Sequence, residues 1–302
     1  MANADTRVIA VEVHHDEDGV GVAPSSRGRT VMRRLRHDPR AMGGLALLVL
    51  IATLTLVAPA IARYDPNTYH DYVAIDQLPS GSHWFGTDYL GRDLWSRVLY
   101  GGRISLPLGL GVVTIEAGIG IALGLVTGYI GGLIDDTLMR LVDIELALPG
   151  LLLPLGVIAM LGPGVASTVV ALGVAGIPLY ARLARASTRQ VRGRDYITAA
   201  RAVGHGNAHI VWRQILPNIL DPLIVQITLS LGGAIVAAAA LSYLGVGTQP
   251  PTADWGALLN AGAEHMFEAW SEVAFPGLAI SLCVLGINLC GDGLTDALNP
   301  RL

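Results

Sequence analysis

The sequence predicts an all-α integral membrane protein with six membrane-spanning helices. Only 15% of its 302 residues are charged, 52% are hydrophobic, and the mean hydropathy is +0.52. Soluble globular proteins carry about 25% charged residues, so this deficit is typical of a chain that faces lipid. Uncharged runs reach 36 residues, and about 20 apolar helical residues are enough to cross a bilayer.

The apolar runs also predict the order of the spans. One uncharged run, 146–181, is too long for a single crossing, and Gly162-Pro163-Gly164 divides it into a third and a fourth span. Residues 1–40 are polar and Arg-rich, so we expect a cytoplasmic, mostly disordered N-terminal segment, followed by a membrane domain at 41–302. The predicted spans are 41–62, 104–130, 137–161, 164–182, 219–244 and 273–291.

The positions of the arginines predict the orientation. Residues 27–40 hold six arginines and residues 182–213 hold seven, whereas residues 245–272 hold no basic residue and four acidic ones. Loops rich in Lys and Arg remain in the cytoplasm. We therefore expect both termini and the 182–218 region in the cytoplasm, and the 245–272 loop outside.

All 20 basic residues are arginine, which excludes one mode of energy coupling. A Walker A loop requires lysine within Gly-x-x-x-x-Gly-Lys-Ser/Thr. If the chain takes part in ATP-driven work, ATP and Mg²⁺ must therefore be bound by partner subunits. No nucleophile–base arrangement stands out, so the sequence predicts no catalytic residue and no cofactor in this chain.

A polar segment, 195–218, interrupts the apolar second half of the chain with DYITAARAVGHGNAHIVWRQILPN. The alanines within 199–202 favour a helix, and Gly204 and Gly206 break it before helical structure resumes toward Pro217. We expect a helix–turn–helix that projects below the bilayer, whose small residues allow another protein to come close. An ordinary solvated basic loop is the alternative.

The order of residues in the polar segment resembles the EAA loop of permeases from ATP-binding-cassette (ABC) importers: Glu-Ala-Ala, three residues, Gly, and a tail ending in Leu-Pro. In that family the loop forms a coupling helix that docks on the ATPase. Thr198 stands where the family has glutamate, and Gln214 replaces a common histidine, so a carboxylate contact is missing. The resemblance implies a coupling role for Thr198, Ala199, Ala200, Gly204, Ile210, Leu216 and Pro217.

Four further stretches resemble, in the family's order, the C-type permease of dipeptide, oligopeptide and nickel importers. They are FGTDYLGRDLWSRVLYGGRISL (85–106), GYIGGLIDDTLMRLVDIELALP (128–149), LSYLGVGTQPPTADWGALLNAG (241–262) and GDGLTDALNPRL (291–302). The resemblance implies a type I ABC importer permease fold in the bacterial plasma (inner) membrane, with the coupling helix between spans four and five. The implied partners are a second homologous permease, two cytoplasmic ABC ATPase subunits or domains, an extracytoplasmic substrate-binding protein and membrane lipid, without nucleic acid.

Charged residues within or next to the predicted spans need a partner or a function. A carboxylate near the bilayer centre costs about 2.5–3.5 kcal/mol, so Glu116 should face protein or water. Glu116 either lines the translocation path or pairs with a neighbouring helix. Arg140 and Asp143 are one helical turn apart and can pair near the cytoplasmic interface.

Two further sites are candidates for binding. Asp254 and Trp255 lie in the acidic 245–272 loop and could receive the binding protein, although Trp255 could instead be an aromatic anchor at the membrane interface. His205 and His209 have the i,i+4 spacing of a metal-binding helix, but they have no third ligand close by. The sequence therefore predicts no metal site.

The leading hypothesis is a permease subunit that forms half of the translocation pathway of an ATP-driven importer for short peptides or a related solute. Relatives carry peptides, glutathione, haem or nickel, and the residues do not choose among them. Closure of the partner ATPases would tilt the spans through the polar segment. The rivals are an ion-driven secondary transporter, with Glu116 as the proton carrier, and a membrane scaffold whose basic loop recruits a cytoplasmic protein.

Overall fold

The computed structural model describes residues 24–298, which form a helical bundle. Most of the N-terminal segment expected to be disordered, 1–23, lies outside the described residues. Within the described residues, β pairing is limited to one antiparallel bridge between Thr87 and Asp93. In chain order the helices are α1 (Pro24–His37), α2 (Pro39–Leu56), α3 (Ala58–Ile61), α4 (Leu94–Ile130), α5 (Gly132–Leu146), α6 (Leu152–Leu161), α7 (Val165–Arg192), α8 (Asp195–Ala202), α9 (Asn207–Ile210), one π-helical turn (Val211–Ile215), α10 (Leu216–Tyr243), α11 (Trp255–Ala263) and α12 (Ser271–Leu298).

Helical structure begins earlier than the sequence predicts. Residues 24–37, at the end of the Arg-rich segment, form α1, and α2 begins at Pro39, two residues before the predicted span. The carboxylate of Asp38 accepts a hydrogen bond from the backbone N–H of Arg40 at 2.9 Å and caps α2. Proline at the first helical position has no N–H that needs a partner, so this start is favourable.

Five helices among the described residues are long and apolar enough to cross a membrane. The expected third span, 137–161, is not one helix, because α5 ends at Leu146 and α6 contains only ten residues. Ten helical residues extend about 15 Å, half of the hydrocarbon thickness. The count of six crossings therefore remains a prediction that depends on α5 and α6 together. The five long helices are Pro39–Leu56, Leu94–Ile130, Val165–Arg192, Asn207–Tyr243 and Ser271–Leu298. Asn207–Tyr243 is the continuous run of α9, the π-helical turn and α10.

Helix α4 joins the two ends of the bundle. It begins at Leu94 rather than at residue 104, and its 37 residues extend about 55 Å, well beyond the hydrocarbon core. The side chain of Asp93 caps its start by accepting a hydrogen bond from the backbone N–H of Ser96. Gly131 and Gly132, with φ of 74° and 62°, end α4 and reverse the chain into α5.

Three glycines of α4 allow its backbone to touch α7. A Cβ atom added to any of them would lie 2.5–2.7 Å from a Cβ atom of α7, closer than two carbon atoms can approach. Small residues at four-residue spacing bring membrane helices into direct backbone contact, which compensates for the weak hydrophobic drive in lipid. The contacts are Gly120 with Tyr180, Gly124 with Ala184 and Gly128 with Thr188.

The two regions singled out by the sequence lie at opposite ends of α4. Near its first turns, Gly102 packs against the indole of Trp255, at the start of α11. In its last turn, Tyr129 contacts Asn207, just after the turn of the polar segment. A movement of α4 would therefore move the residues that contact it at both ends.

Candidate functional site

The polar segment folds as a helix, a turn and a second helix, as its sequence predicts. Helix α8 ends in a Schellman motif, in which the N–H of His205 bonds to the carbonyl of Ala200 and the N–H of Gly204 bonds to that of Arg201. Gly204 has a φ of +89°, and a Cβ atom added to it would meet no atom within 4 Å. Glycine is favoured there because of the left-handed backbone, and the turn itself is open to solvent.

One face of the polar segment is anchored to the bundle. Ile197, Ile210 and Ile215 are fully buried. They belong to one apolar cluster with Leu125 of α4 and Val191 of α7. Burial of three isoleucines contributes several kcal/mol, so the segment is held against two long helices rather than swinging freely.

Tyr129 is the polar link between this segment and α4. Its hydroxyl donates a hydrogen bond of 2.7 Å to the side-chain oxygen of Asn207. The guanidinium groups of Arg192 and Arg201 lie 5.8 and 5.4 Å from the centre of its ring. These are cation–π distances, so one tyrosine contacts the ends of α7, α8 and α9.

The opposite face of α8 is exposed and small. Thr198, Ala199 and Ala202 are exposed, and Val203 is 79% exposed beside Gly204. At 100° per residue these positions lie opposite the buried side of the helix. The result is a short, largely apolar ridge that can enter a groove on another protein.

The seven residues expected to act in coupling do not form one surface. Thr198, Ala199 and Gly204 belong to the exposed ridge. Ala200 and Ile210 are buried against the bundle. Leu216 is half-buried and Pro217 exposed in the first turn of α10. The motif thus divides into residues that can contact a partner and residues that hold the ridge in place.

Two aspartates of α5 pair with arginines of α7. Asp135 is 1% exposed and accepts hydrogen bonds from Arg185 at 2.5 and 2.7 Å, and another from Arg189. The hydrogen bonds from Arg185 hold the pKa of Asp135 below its usual value.

The expected pair of Arg140 with Asp143 is wrong. Asp143 pairs instead with Arg182 of α7, at 2.5 Å, because the fold brings α7 alongside α5. Together with the Asp135 pairs, this contact joins α5 to α7.

Glu116 lies within α4 and faces protein, as its charge requires. It is half-buried, and its carboxylate occupies a notch at Gly176 of α7, where an added Cβ would lie 2.1 Å from Oε1. One turn further along α7, the hydroxyl of Tyr180 donates to the carbonyl of Gln226 at 3.4 Å, and the side chain of Gln226 donates to Ser230 at 3.0 Å. Glu116 thus lies close to a polar group between α4, α7 and α10.

Asp254 and Trp255 are internal, so the prediction that they face a binding protein is wrong for this conformation. They are 2% and 1% exposed. Asp254 caps α11 through the N–H of Gly256 at 2.7 Å and accepts a hydrogen bond from Ser242 at 3.0 Å. The indole N–H of Trp255 donates to the carbonyl of Val98 at 2.9 Å. Trp255 thus fastens the 244–270 loop to the first turns of α4, and Asp254 fastens it to the end of α10.

The two histidines of the polar segment stack on each other at the surface. The ring centroids of His205 and His209 are 4.3 Å apart, and both side chains are exposed. Among the described residues, three side chains whose ligand atoms lie close enough to hold a metal ion are found instead at the other end of the bundle, at Asp76, His265 and Glu268.

Comparison with known proteins identifies the fold and the family. Residues 120–302 match the family described as the inner membrane component of binding-protein-dependent transport systems. Residues 26–79 match the N-terminal transmembrane domain of oligopeptide transport permease C. Among solved structures, the inward-facing MetNI methionine ABC transporter is similar in fold, with a TM-score of 0.54 at 20% identity over 67% of this chain and 96% of that chain.

Two curated relatives are similar over nearly the whole chain. The di/tripeptide transport system permease protein DppC of Pseudomonas aeruginosa (strain UCBPP-PA14) is 46% identical over 271 residues, which cover 88% of this chain and 89% of the relative. The glutathione transport system permease protein GsiD of Escherichia coli O6:K15:H31 (strain 536 / UPEC) is 43% identical over 270 residues, which cover 89% of each chain.

The bundle and these matches define a class of protein, the non-catalytic permease subunit of an ABC importer. The chain belongs to the family of inner membrane components of binding-protein-dependent transport systems. The resemblance read from the sequence is therefore confirmed, and the ion-driven transporter and the scaffold are set aside. As a member of this family it is a multi-pass membrane protein that works with an ATPase and other ABC components.

Proposed function

We propose that this chain forms half of the translocation pathway of an importer for di- and tripeptides, beside a second homologous permease. The names of the two relatives support this substrate class, since one is a di/tripeptide permease and the other a glutathione permease. Glutathione is itself a tripeptide, so short peptides with a free ammonium and a carboxylate are the chemistry common to both.

The exposed ridge on α8 is the proposed contact with the ATPases, and it is the observation that carries the function. Two cytoplasmic ABC ATPase subunits or domains bind ATP and Mg²⁺, and one of them receives Thr198, Ala199 and Val203 in a groove. Since the buried face of the polar segment packs on α4 and α7, closure of the ATPases moves these helices with it. The pathway then opens alternately to the two sides as a two-state element.

Glu116 is the proposed polar contact within the pathway. Its carboxylate lies between α4 and α7 in the notch at Gly176, where it can meet the ammonium group of a peptide. A single ammonium–carboxylate contact in a site shielded from water is strong enough to orient a short peptide.

The end of the bundle formed by 63–93 and 244–270 is the proposed extracytoplasmic side, where a binding protein delivers the substrate. Since Asp254 and Trp255 are buried, exposed side chains of the same loop supply the docking surface instead. Phe267 is 94% exposed and Trp270 is 54% exposed. With this orientation, both termini lie in the cytoplasm and the remaining surface contacts inner-membrane lipid.

A set of three variants tests the coupling contact. Gly204→Trp places a large side chain on the open turn. Gly204→Ala forces alanine into the same left-handed backbone but adds little bulk. Gly43→Trp adds the bulk on α2, where an added Cβ also meets no atom within 4 Å. The measurements are copurification of the ATPases with the chain and ATP-dependent uptake of a dipeptide into vesicles.

We expect Gly204→Trp to lose the ATPases and uptake while inserting normally in the membrane. Gly43→Trp should retain both, and Gly204→Ala should retain ATPase binding at a reduced level because only the turn is strained. ATPase binding and uptake that survive Gly204→Trp would remove the ridge from the coupling contact.

A further inference from the structure

A cluster of acidic and imidazole side chains lies at the end of the bundle away from the polar segment. One ligand atom each from Asp76, His265 and Glu268 lies within 4.8 Å of the other two. The Nδ1 atom of His265 is 3.6 Å from Oδ2 of Asp76 and 3.8 Å from Oε2 of Glu268. The three residues come from two loops far apart in sequence, so the fold itself assembles the cluster.

A buried carboxylate lies next to Asp76 at the edge of this cluster. Glu272, in the first turn of α12, is 1% exposed, and neither of its carboxylate oxygens has a hydrogen-bond partner among the described residues. Its carboxyl group faces that of Asp76, whose Oδ1 is also buried without a partner. A buried carboxyl group whose oxygens have no donor is costly unless it shares a cation or a proton with its neighbour.

Contacts around the cluster orient these residues but do not use the atoms that would bind a metal ion. Glu272 is positioned by Gly262 of α11, where an added Cβ would lie 2.6 Å from the Cβ of Glu272. The ring of His265 stacks in parallel on Tyr89, with centroids 5.5 Å apart. The backbone N–H of Asp76 donates to the carbonyl of Asp88 at 3.3 Å. Each group is therefore oriented by contacts that leave its ligand atoms unused.

The arginine nearest to Glu272 donates its hydrogen bond to a different carboxylate. Arg92 is close enough to act on Glu272 electrostatically, but its Nε donates to Asp88 at 2.8 Å and the pair is almost fully buried. Arg97 also lies 3.5 Å from Asp88, so two arginines share this carboxylate, and neither arginine donates a hydrogen bond to the carboxylate oxygens of Glu272.

We propose that Asp76, His265 and Glu268 bind a divalent transition-metal ion next to the buried carboxylate of Glu272, with Zn²⁺ as the ion that fits best. Zn²⁺ is held at about 2.0–2.2 Å by imidazole nitrogen and carboxylate oxygen in a tetrahedral arrangement, which separates neighbouring ligand atoms by about 3.4 Å. The observed 3.6 and 3.8 Å are within reach of that separation. An imidazole among the ligands favours Zn²⁺ over Ca²⁺ or Mg²⁺.

The ion would cross-link two loops next to the start of α12 and thereby form a metal clip. Asp76 belongs to the 63–93 loop, His265 and Glu268 to the 244–270 loop, and Glu272 to α12. The sequence analysis did not predict this site. It considered only His205 and His209 as metal ligands and predicted no metal site. The clip is independent of the proposed peptide substrate and of the ATPase contact.

Zn²⁺ titration of the purified, assembled transporter tests the proposal by calorimetry. We expect one tight site per copy of this chain, weakened at least tenfold by His265→Ala and by Glu268→Gln. Glu268 is 74% exposed, so its replacement leaves the fold intact even if a change at buried Glu272 does not. Glu264→Gln, on the same loop but outside the cluster, should bind Zn²⁺ as the wild type does.

His209→Ala is the decisive control, because the His205 and His209 pair is a competing site for Zn²⁺. The tight site should persist in this variant. If Zn²⁺ binding is lost in His209→Ala and kept in His265→Ala, the metal lies at the polar segment and the proposal is wrong. It is also wrong if no tight Zn²⁺ site is found, or if Ca²⁺ binds more tightly than Zn²⁺, since the buried carboxylates then share a proton or bind without the imidazole.

Discussion

The hydroxyl of Tyr129 lies 2.7 Å from the side-chain oxygen of Asn207 and joins the last turn of α4 to the helix that follows the polar turn. Around it lie the guanidinium groups of Arg192 and Arg201. A force applied to the exposed ridge of α8 therefore reaches α4 through a hydrogen bond and a ring contact as well as through apolar packing.

Tyr129→Phe should reduce the transport obtained per ATP hydrolysed while leaving the ATPases bound. The change removes the hydroxyl and keeps the ring, so the cation–π contacts remain and stability should fall by only about 0.5–1.5 kcal/mol. Asn207→Ala should have a similar effect. The double variant should be no worse than either single variant, since one hydrogen bond is lost in all three; additive losses would contradict the link.

Gly124→Ala should destabilise the bundle by about 1–3 kcal/mol, because the added methyl overpacks the contact between α4 and α7. An added Cβ would lie 2.5 Å from the Cβ of Ala184. Gly118→Ala, on the same helix, meets no atom within 4 Å, and it should be neutral or stabilising by up to about 1 kcal/mol through helix propensity. Thermal unfolding in detergent measures both, and equal shifts would refute the close contact.

Asp135→Asn should lower the unfolding temperature at neutral pH by removing the hydrogen bonds from Arg185 and Arg189. Since the pKa of Asp135 is held below its ordinary value of 3.8, its contribution is fully present above that pH and is lost as pH falls through the lowered pKa. The difference from wild type should therefore shrink below about pH 4. Asp136→Asn, at the exposed neighbouring position, is the control and should leave the unfolding temperature at neutral pH unchanged.

Glu116→Gln should raise the KM for dipeptide uptake by about tenfold or more, as expected for the loss of a charge-assisted contact, with ATPase binding unchanged. Glutamine keeps the volume that fills the notch at Gly176. Gly176→Ala should impair uptake as well, since its Cβ would displace the carboxylate, which lies 2.1 Å away. Gly233→Ala, where an added Cβ meets no atom within 4 Å, is the control. Unchanged uptake in Glu116→Gln would place this carboxylate outside the pathway.

Local features of the fold were predictable because their causes are local. The turn at Gly162-Pro163-Gly164 separates α6 from α7 as expected, since Gly162 and Gly164 have positive φ and proline cannot continue a helix. The end of α8 at Gly204 follows from the same physics. The division of the third span into α5 and α6 was missed, because a count of uncharged residues does not register where a helix breaks inside an apolar run.

Contacts between distant residues were not predictable. Asp143 was assigned to Arg140, a neighbour one turn away, and pairs with Arg182 because α7 lies beside α5. Asp254 and Trp255 lie in a loop whose acidic composition predicts exposure. They are nevertheless buried, because α11 folds back onto the first turns of α4. Asp76 and Glu272 show nothing in sequence that links them.

By itself, the sequence determined that this protein is helical, lies in a membrane and has no Walker A loop of its own, because hydropathy and the absence of lysine are properties of composition and order. It also determined the shape of the polar segment, through alanine and glycine spacing. Only the tertiary structure decided which residues of that segment are exposed, that Glu116 lies at Gly176 of α7, and that Asp76 and Glu272 lie together at the other end of the bundle. The reason is that helix packing sets burial and brings together side chains that no local pattern connects.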